Sequence, residues 1–124
     1  MEFRKLESIK SLDMLPKFDV FYSVIVLQHN PPPVIGVVLK KILSKLRGGG
    51  IAYFQVPTYA LGYQFDCKTY LRGFMRNTRM EMHVFPQREL FELIREQGCR
   101  LVEMREDNYV GTGNMISNSF LVIK

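Results

Sequence analysis

KLRGGGIAYFQVP, residues 45–57, sets three glycines between a segment of helical apolar spacing and a β-rich one. Glycines beside a strand either cradle a phosphate or turn the chain. A phosphate loop needs the order strand, glycines, helix, because the anion sits on free N–H groups at a helix start. Here the order is helix, glycines, strand. Upstream, Ile35, Val38, Leu39, Ile42 and Leu46 fall on one helical face of residues 34–47. Downstream, residues 51–57 read as a strand. Gly48 is expected as the left-handed C-cap, with Gly49 and Gly50 reversing the chain. The glycines turn the chain and hold no phosphate.

Further upstream, FDVFYSVIVL (18–27) is almost continuously apolar and rich in Val, Ile and aromatics. That pattern predicts a strand buried on both faces, hence a parallel sheet between helices. QHNPPP breaks it, with Asn30 as candidate cap and proline in the first helical turn. Lys40, Lys41, Lys45 and Arg47 gather at the end of the following helix, where its dipole favours cations. Before the strand, Leu6, Ile9, Leu12 and Leu15 outline a short amphipathic helix closed by Pro16.

On the other side, residues 66–77 form a candidate helix capped by Asp66, with Tyr70, Leu71, Phe74 and Met75 inward. A clearer helix covers 87–97, with Leu90, Leu93 and Ile94 on one face and Gly98 at its end. RLVEMRED (100–107) alternates as a half-buried strand does. NSFLVIK closes the chain, joined by a glycine-containing turn, so the pair is predicted as an antiparallel hairpin. GTG (111–113) lies within that turn; no helix follows it to receive a pyrophosphate.

The bounds agree. The 124 residues suit one domain, and 47% apolar with 12% aromatic content supplies a core. A net charge of +5 is modest, and no aromatic–basic motif supports the reading as a nucleic-acid-binding module. Cys67 and Cys99 lie far apart without ligand spacing, which argues against structural zinc and fits a reducing, cytoplasmic setting. The N-terminus has no hydrophobic signal core, and VFYSVIVL, the longest apolar run, is too short to span a bilayer.

Residues 17–59 resemble the central part of a class I S-adenosylmethionine-dependent methyltransferase. The resemblance rests on Phe18, Asp19, Val20, Ser23, Leu27, Gln28, His29, Leu46, Gly48, Gly49 and Gly50, in the order strand, helix, glycine turn, strand. HVFPQRELFELIREQGCRLVEMRED (83–107) resembles the family's next helix and sixth strand, and NSFLVIK its final antiparallel strand. The implied fold is α/β: a partial Rossmann-like sheet of about four strands, the last antiparallel, in a single partial domain over 1–124. The family's first strand with its glycine-rich loop, and the acidic residue that binds the cofactor ribose, have no counterpart here. The chain is therefore expected to be the C-terminal half of such a domain, inactive on its own.

The resemblance implies that Ser23, Val24, Leu27, Gln28 and His29, at the end of the first strand, line the S-adenosylmethionine pocket. His29 is also a candidate base, against the plainer reading that residues 28–30 bond the loop and cap the helix. Tyr59 and Tyr63, after the next strand, fall where acceptor contacts occur. His83 reads as structural. Two functions stay open: methyl transfer with the missing half supplied elsewhere, or a non-catalytic, self-associating remnant. An unpaired strand 18–27 predicts a homodimer through that strand and the following helix.

Overall fold

The computed structural model describes residues 3–73, 80–111 and 113–124. Four strands form one sheet in the order β1-β2-β4-β3. β1 (Phe18–Ser23) is parallel to β2 (Leu46–Ala60), which is antiparallel to β4 (Met115–Ile123), itself antiparallel to β3 (Arg100–Asp107). The parallel pair is joined through α1 (Pro32–Lys45), and α3 (Gln87–Glu96) leads into β3. The expected mixed α/β sheet with its terminal hairpin is present.

One face of this sheet carries the core. Ile35, Leu39 and Leu43 of α1 and Leu90 and Ile94 of α3 meet Ala52, Phe54 and Val56 of β2 and Phe120 and Val122 of β4. Phe54 and Phe120 stack at the centre, 5.5 Å between ring centroids. The expectation that β1 is buried on both faces fails. Phe21 turns toward the core, but Val20 and Tyr22 on the opposite face are 69% and 68% exposed. The Tyr22 ring stacks on that of Tyr53 at 5.6 Å. Both helices pack on the same side, so an apolar strand pattern is half used.

The strand is also shorter than 18–27. It ends at Ser23, and residues 27–29 form a single 3₁₀ turn. Asn30 does not cap α1, whose N-cap is Pro31; its side chain instead donates to the carbonyls of Val26 and Leu27. Prolines do occupy the first turn of α1, as expected. At the N-terminus the amphipathic segment is a 3₁₀ helix, Ile9–Met14, that buries Leu12. Lys41 pairs with Asp13 and Lys45 donates to the carbonyls of Asp13 and Leu15, so two of the basic residues tie this segment to α1.

Gly48 is not a helix cap. α1 stops at Lys45 because Leu46 is already extended and pairs with Phe18. The glycines lie inside β2, where register jumps from Phe18↔Leu46 to Val20↔Ile51. Residues 47–50 bulge out opposite Asp19, and Arg47 closes the bulge on its carboxylate at 2.7 Å. The left-handed residue is Gly49, at φ +80°. Gly98, at φ +67°, does end α3 as expected.

The remaining differences concern exposure. α2 (Cys67–Gly73) is capped by Asp66 as expected, with the Thr69 N–H on its carboxylate at 2.7 Å, but Leu71 is exposed. Phe74 and Met75 lie outside the described residues. β3 is mostly exposed rather than half-buried; only Leu101 and the preceding Cys99 pack on the core near α3. It is an edge strand that α3 covers at its start alone.

Candidate functional site

At the carboxyl end of β1 the chain turns sharply. Ile25 has φ +58°, a left-handed conformation that a β-branched residue rarely adopts. Such a position costs about 1–3 kcal/mol and persists only where its surroundings fix it. Gln55, fully buried on β2, does the fixing. Its Oε1 accepts the Ile25 N–H at 2.9 Å, and its Nε2 donates to Gln28 Oε1 at 2.9 Å and to Ser117 Oγ at 2.6 Å. One amide thus ties the turn to β4.

The family-implied residues separate by role. The Leu27 side chain belongs to the core, and the buried Gln28 side chain is engaged by Gln55. Ser23 is buried, and Val24 and His29 are half-buried. His29 donates from Nδ1 to the Glu81 carbonyl at 2.8 Å. The Gln28 carbonyl accepts the His83 N–H at 2.8 Å. The turn after β1 is therefore stitched on its outer side to residues 81–83.

Beside this stitching lies a cleft of about 480 Å³, lined by Tyr63, Phe65, Asp66, Tyr70, Glu81 and His83 among others. His83 is buried and lines it. Its ring meets Tyr63, Phe65 and Tyr70 edge-on, with centroids 6.2, 5.7 and 5.7 Å away. Its Nε2 bonds Glu81 Oε2 at 2.9 Å and its Nδ1 bonds the Tyr63 hydroxyl at 2.9 Å. The Tyr70 hydroxyl donates to the same Glu81 oxygen at 3.0 Å. Burial raises the Tyr63 hydroxyl pKa; the Val84 N–H opposes this and the Glu81 charge adds to it. Tyr70 is raised too, by burial first and then by its bond to Glu81. Asp66 is held below its usual range by the Thr69 side chain and N–H.

Of the two tyrosines singled out in the sequence, Tyr63 lines this cleft and Tyr59 does not; Tyr59 is exposed on β2 opposite Ile116. Phe65 and Glu81 are additions that the sequence reading passed over, and Tyr70, expected there only on the inward face of its helix, joins them. Among the described residues no group of His, Cys, Asp and Glu is arranged to hold a metal, and no helix is long and apolar enough to cross a membrane.

Neither a family model nor a curated protein matches the sequence. Solved structures do match the fold. Magnesium protoporphyrin IX methyltransferase from Synechocystis PCC 6803, with bound SAH, superposes with a TM-score of 0.62 at 12% identity, over 91% of this chain and 48% of that one. A SAM-dependent methyltransferase from Methanosarcina mazei gives 0.61 at 17% identity, over 87% and 59%. The 1,6-didemethyltoxoflavin-N1-methyltransferase of Burkholderia thailandensis gives 0.58 at 19%, over 87% and 44%. These residues adopt part of the class I methyltransferase fold. The chain spans about half the length of these structures.

Proposed function

We propose that the chain serves methyl transfer from S-adenosylmethionine as the C-terminal half of a methyltransferase sheet. The observation that carries this reading is the strained turn after β1, held by Gln55 at the carboxyl end of a parallel strand. Ligands of open α/β sheets bind beyond such strand ends. The fit to the cofactor is one-sided. Ile25 and Val26 expose apolar surface suited to a purine face, and Ser23, Val24, Gln28 and His29 lie beside it. Residues 23–30 contain no carboxylate for the ribose hydroxyls. When bound, the cofactor supplies an activated methyl group; the protein's task is to align an acceptor with it.

The 124-residue chain is expected to bind S-adenosylhomocysteine only at millimolar concentration, because unpaired polar cofactor atoms oppose binding. Amide shifts in an NMR titration should then concentrate at residues 24–29. Micromolar affinity by calorimetry would remove the need for a second half. No shift at residues 24–29 would remove the methyl-transfer reading.

A second reading rests on β1 itself. Its outer edge has no strand partner among the described residues, and Val20 and Tyr22 are bare beside it. Where no other half docks there, two copies pair across this edge and cover the face, giving the self-associating form. Val24 lies beyond the strand, so Val20→Lys is the better probe. Light scattering should give a dimer for the natural chain and a mainly monomeric Val20→Lys protein. A well-folded natural monomer at micromolar concentration would count against pairing.

A further inference from the structure

The hydrogen bonds in the cleft run in one direction. Glu81 as a carboxylate only accepts, so His83 Nε2 carries the proton in their 2.9 Å bond. In the neutral ring His83 Nδ1 is the lone-pair nitrogen, and the Tyr63 hydroxyl, 2.9 Å away, donates to it. A carboxylate orients an imidazole, the imidazole faces a hydroxyl, and the tyrosine that carries this hydroxyl lines the cleft. The Glu81 carbonyl and the His83 N–H are also bonded to His29 and Gln28, which sets this line against the turn after β1.

We propose that Tyr63, His83 and Glu81 form a proton relay that deprotonates a planar phenol bound in the cleft. Its purpose rests on the methyl-transfer reading, since a phenolate is the competent acceptor for a methyl group. The phenol's O–H bond breaks as its proton reaches Tyr63 Oη. The Tyr63 proton passes to His83 Nδ1 in the same motion. The phenol is left as phenolate, and the new imidazolium keeps its Nε2–H on the Glu81 carboxylate, which stabilises it. Tyr63 conducts the proton and is itself never a stable anion, in keeping with a burial-raised pKa.

The ligand class follows from the lining. A cleft of about 480 Å³ falls within the range of small-molecule sites. Phe65 and Tyr70 offer ring surface for a planar molecule. The last atom of the relay is the Tyr63 hydroxyl oxygen, which beside the Val84 N–H has room to accept one further hydrogen bond from another hydroxyl.

4-Nitrophenol tests this on the 124-residue chain, because its phenolate has its own visible absorption band. In buffer below the phenol's own pKa, the bound probe should show that band with the natural protein. Tyr63→Phe keeps the ring and should bind the probe within about threefold. Its phenolate band should fall by about tenfold or more. Glu81→Gln should weaken the band in the same direction, while circular dichroism shows the fold retained. Probe bound wholly as phenol, or an undiminished band in Tyr63→Phe, overturns the relay. Absence of binding overturns the phenol class. Amide shifts at residues 24–29 with S-adenosylhomocysteine report separately on methyl transfer. A phenolate band without those shifts supports the relay and sinks only the methyl-transfer reading.

Discussion

Gln55→Leu should destabilise the fold by about 3 kcal/mol or more, although leucine is apolar and similar in size. Gln55 is fully buried and serves three groups: the Ile25 N–H, Gln28 Oε1 and Ser117 Oγ. Each buried polar group left without a partner costs about 1–3 kcal/mol. Ile25 also loses the bond that fixes its left-handed backbone, so the turn relaxes and part of the cost is recovered there. A urea titration measures the total, and hydrogen exchange at the Ile25 amide should accelerate beyond the global change. A loss below about 1 kcal/mol would mean that water replaces the amide and that the turn stands without it.

Gly50→Val comes next, at about 2 kcal/mol or more. A Cβ at Gly50 would lie 2.9 Å from the Arg47 carbonyl oxygen and 3.0 Å from that of Asp19. Both are backbone atoms, one in the bulge and one in β1, so relief requires parting the two strands where register is set. Overpacking alone costs about 1–3 kcal/mol. Gly48→Val is the matched control: a Cβ there meets nothing within 4 Å and the backbone is not left-handed. It should change stability by about 0.5 kcal/mol or less. Equal losses at the two positions in denaturant titrations would refute the bulge as the reason for the glycines.

These two residues also mark what the sequence disclosed. Element order was legible because α1 and α3 keep a helical apolar period while β2 and β4 are β-rich between turn residues. The glycine turn was legible in kind and misplaced in detail. Helix α1 ends early because Leu46 pairs with Phe18, a contact that local patterns do not encode. Exposure of Val20 and Tyr22 was illegible for a similar reason: an apolar run reads the same whether or not something packs on its far face. Tyr63 is singled out by the family resemblance, which places acceptor contacts after this strand. Its link to His83 is not, because twenty residues separate them and only the fold closes the distance. Glu81 two residues before His83 was the available cue, and it gains meaning only once Tyr63 is in place.

β4 lies between β2 and β3, and its last residues close on the middle of the chain. Ile123 pairs with Ile51, and the Lys124 backbone bonds Gly49 and Gly50 at 2.8 and 2.9 Å. During synthesis β2 therefore leaves the ribosome long before its principal partner exists. Until residues 115–124 emerge, Phe54 and Val56 have α1 on their face but no β4 alongside, and the edge of β2 is open to any other nascent strand. Folding of this sheet waits on a distant pairing, which makes it slow relative to its helices and leaves β2 open to misassembly until β4 arrives.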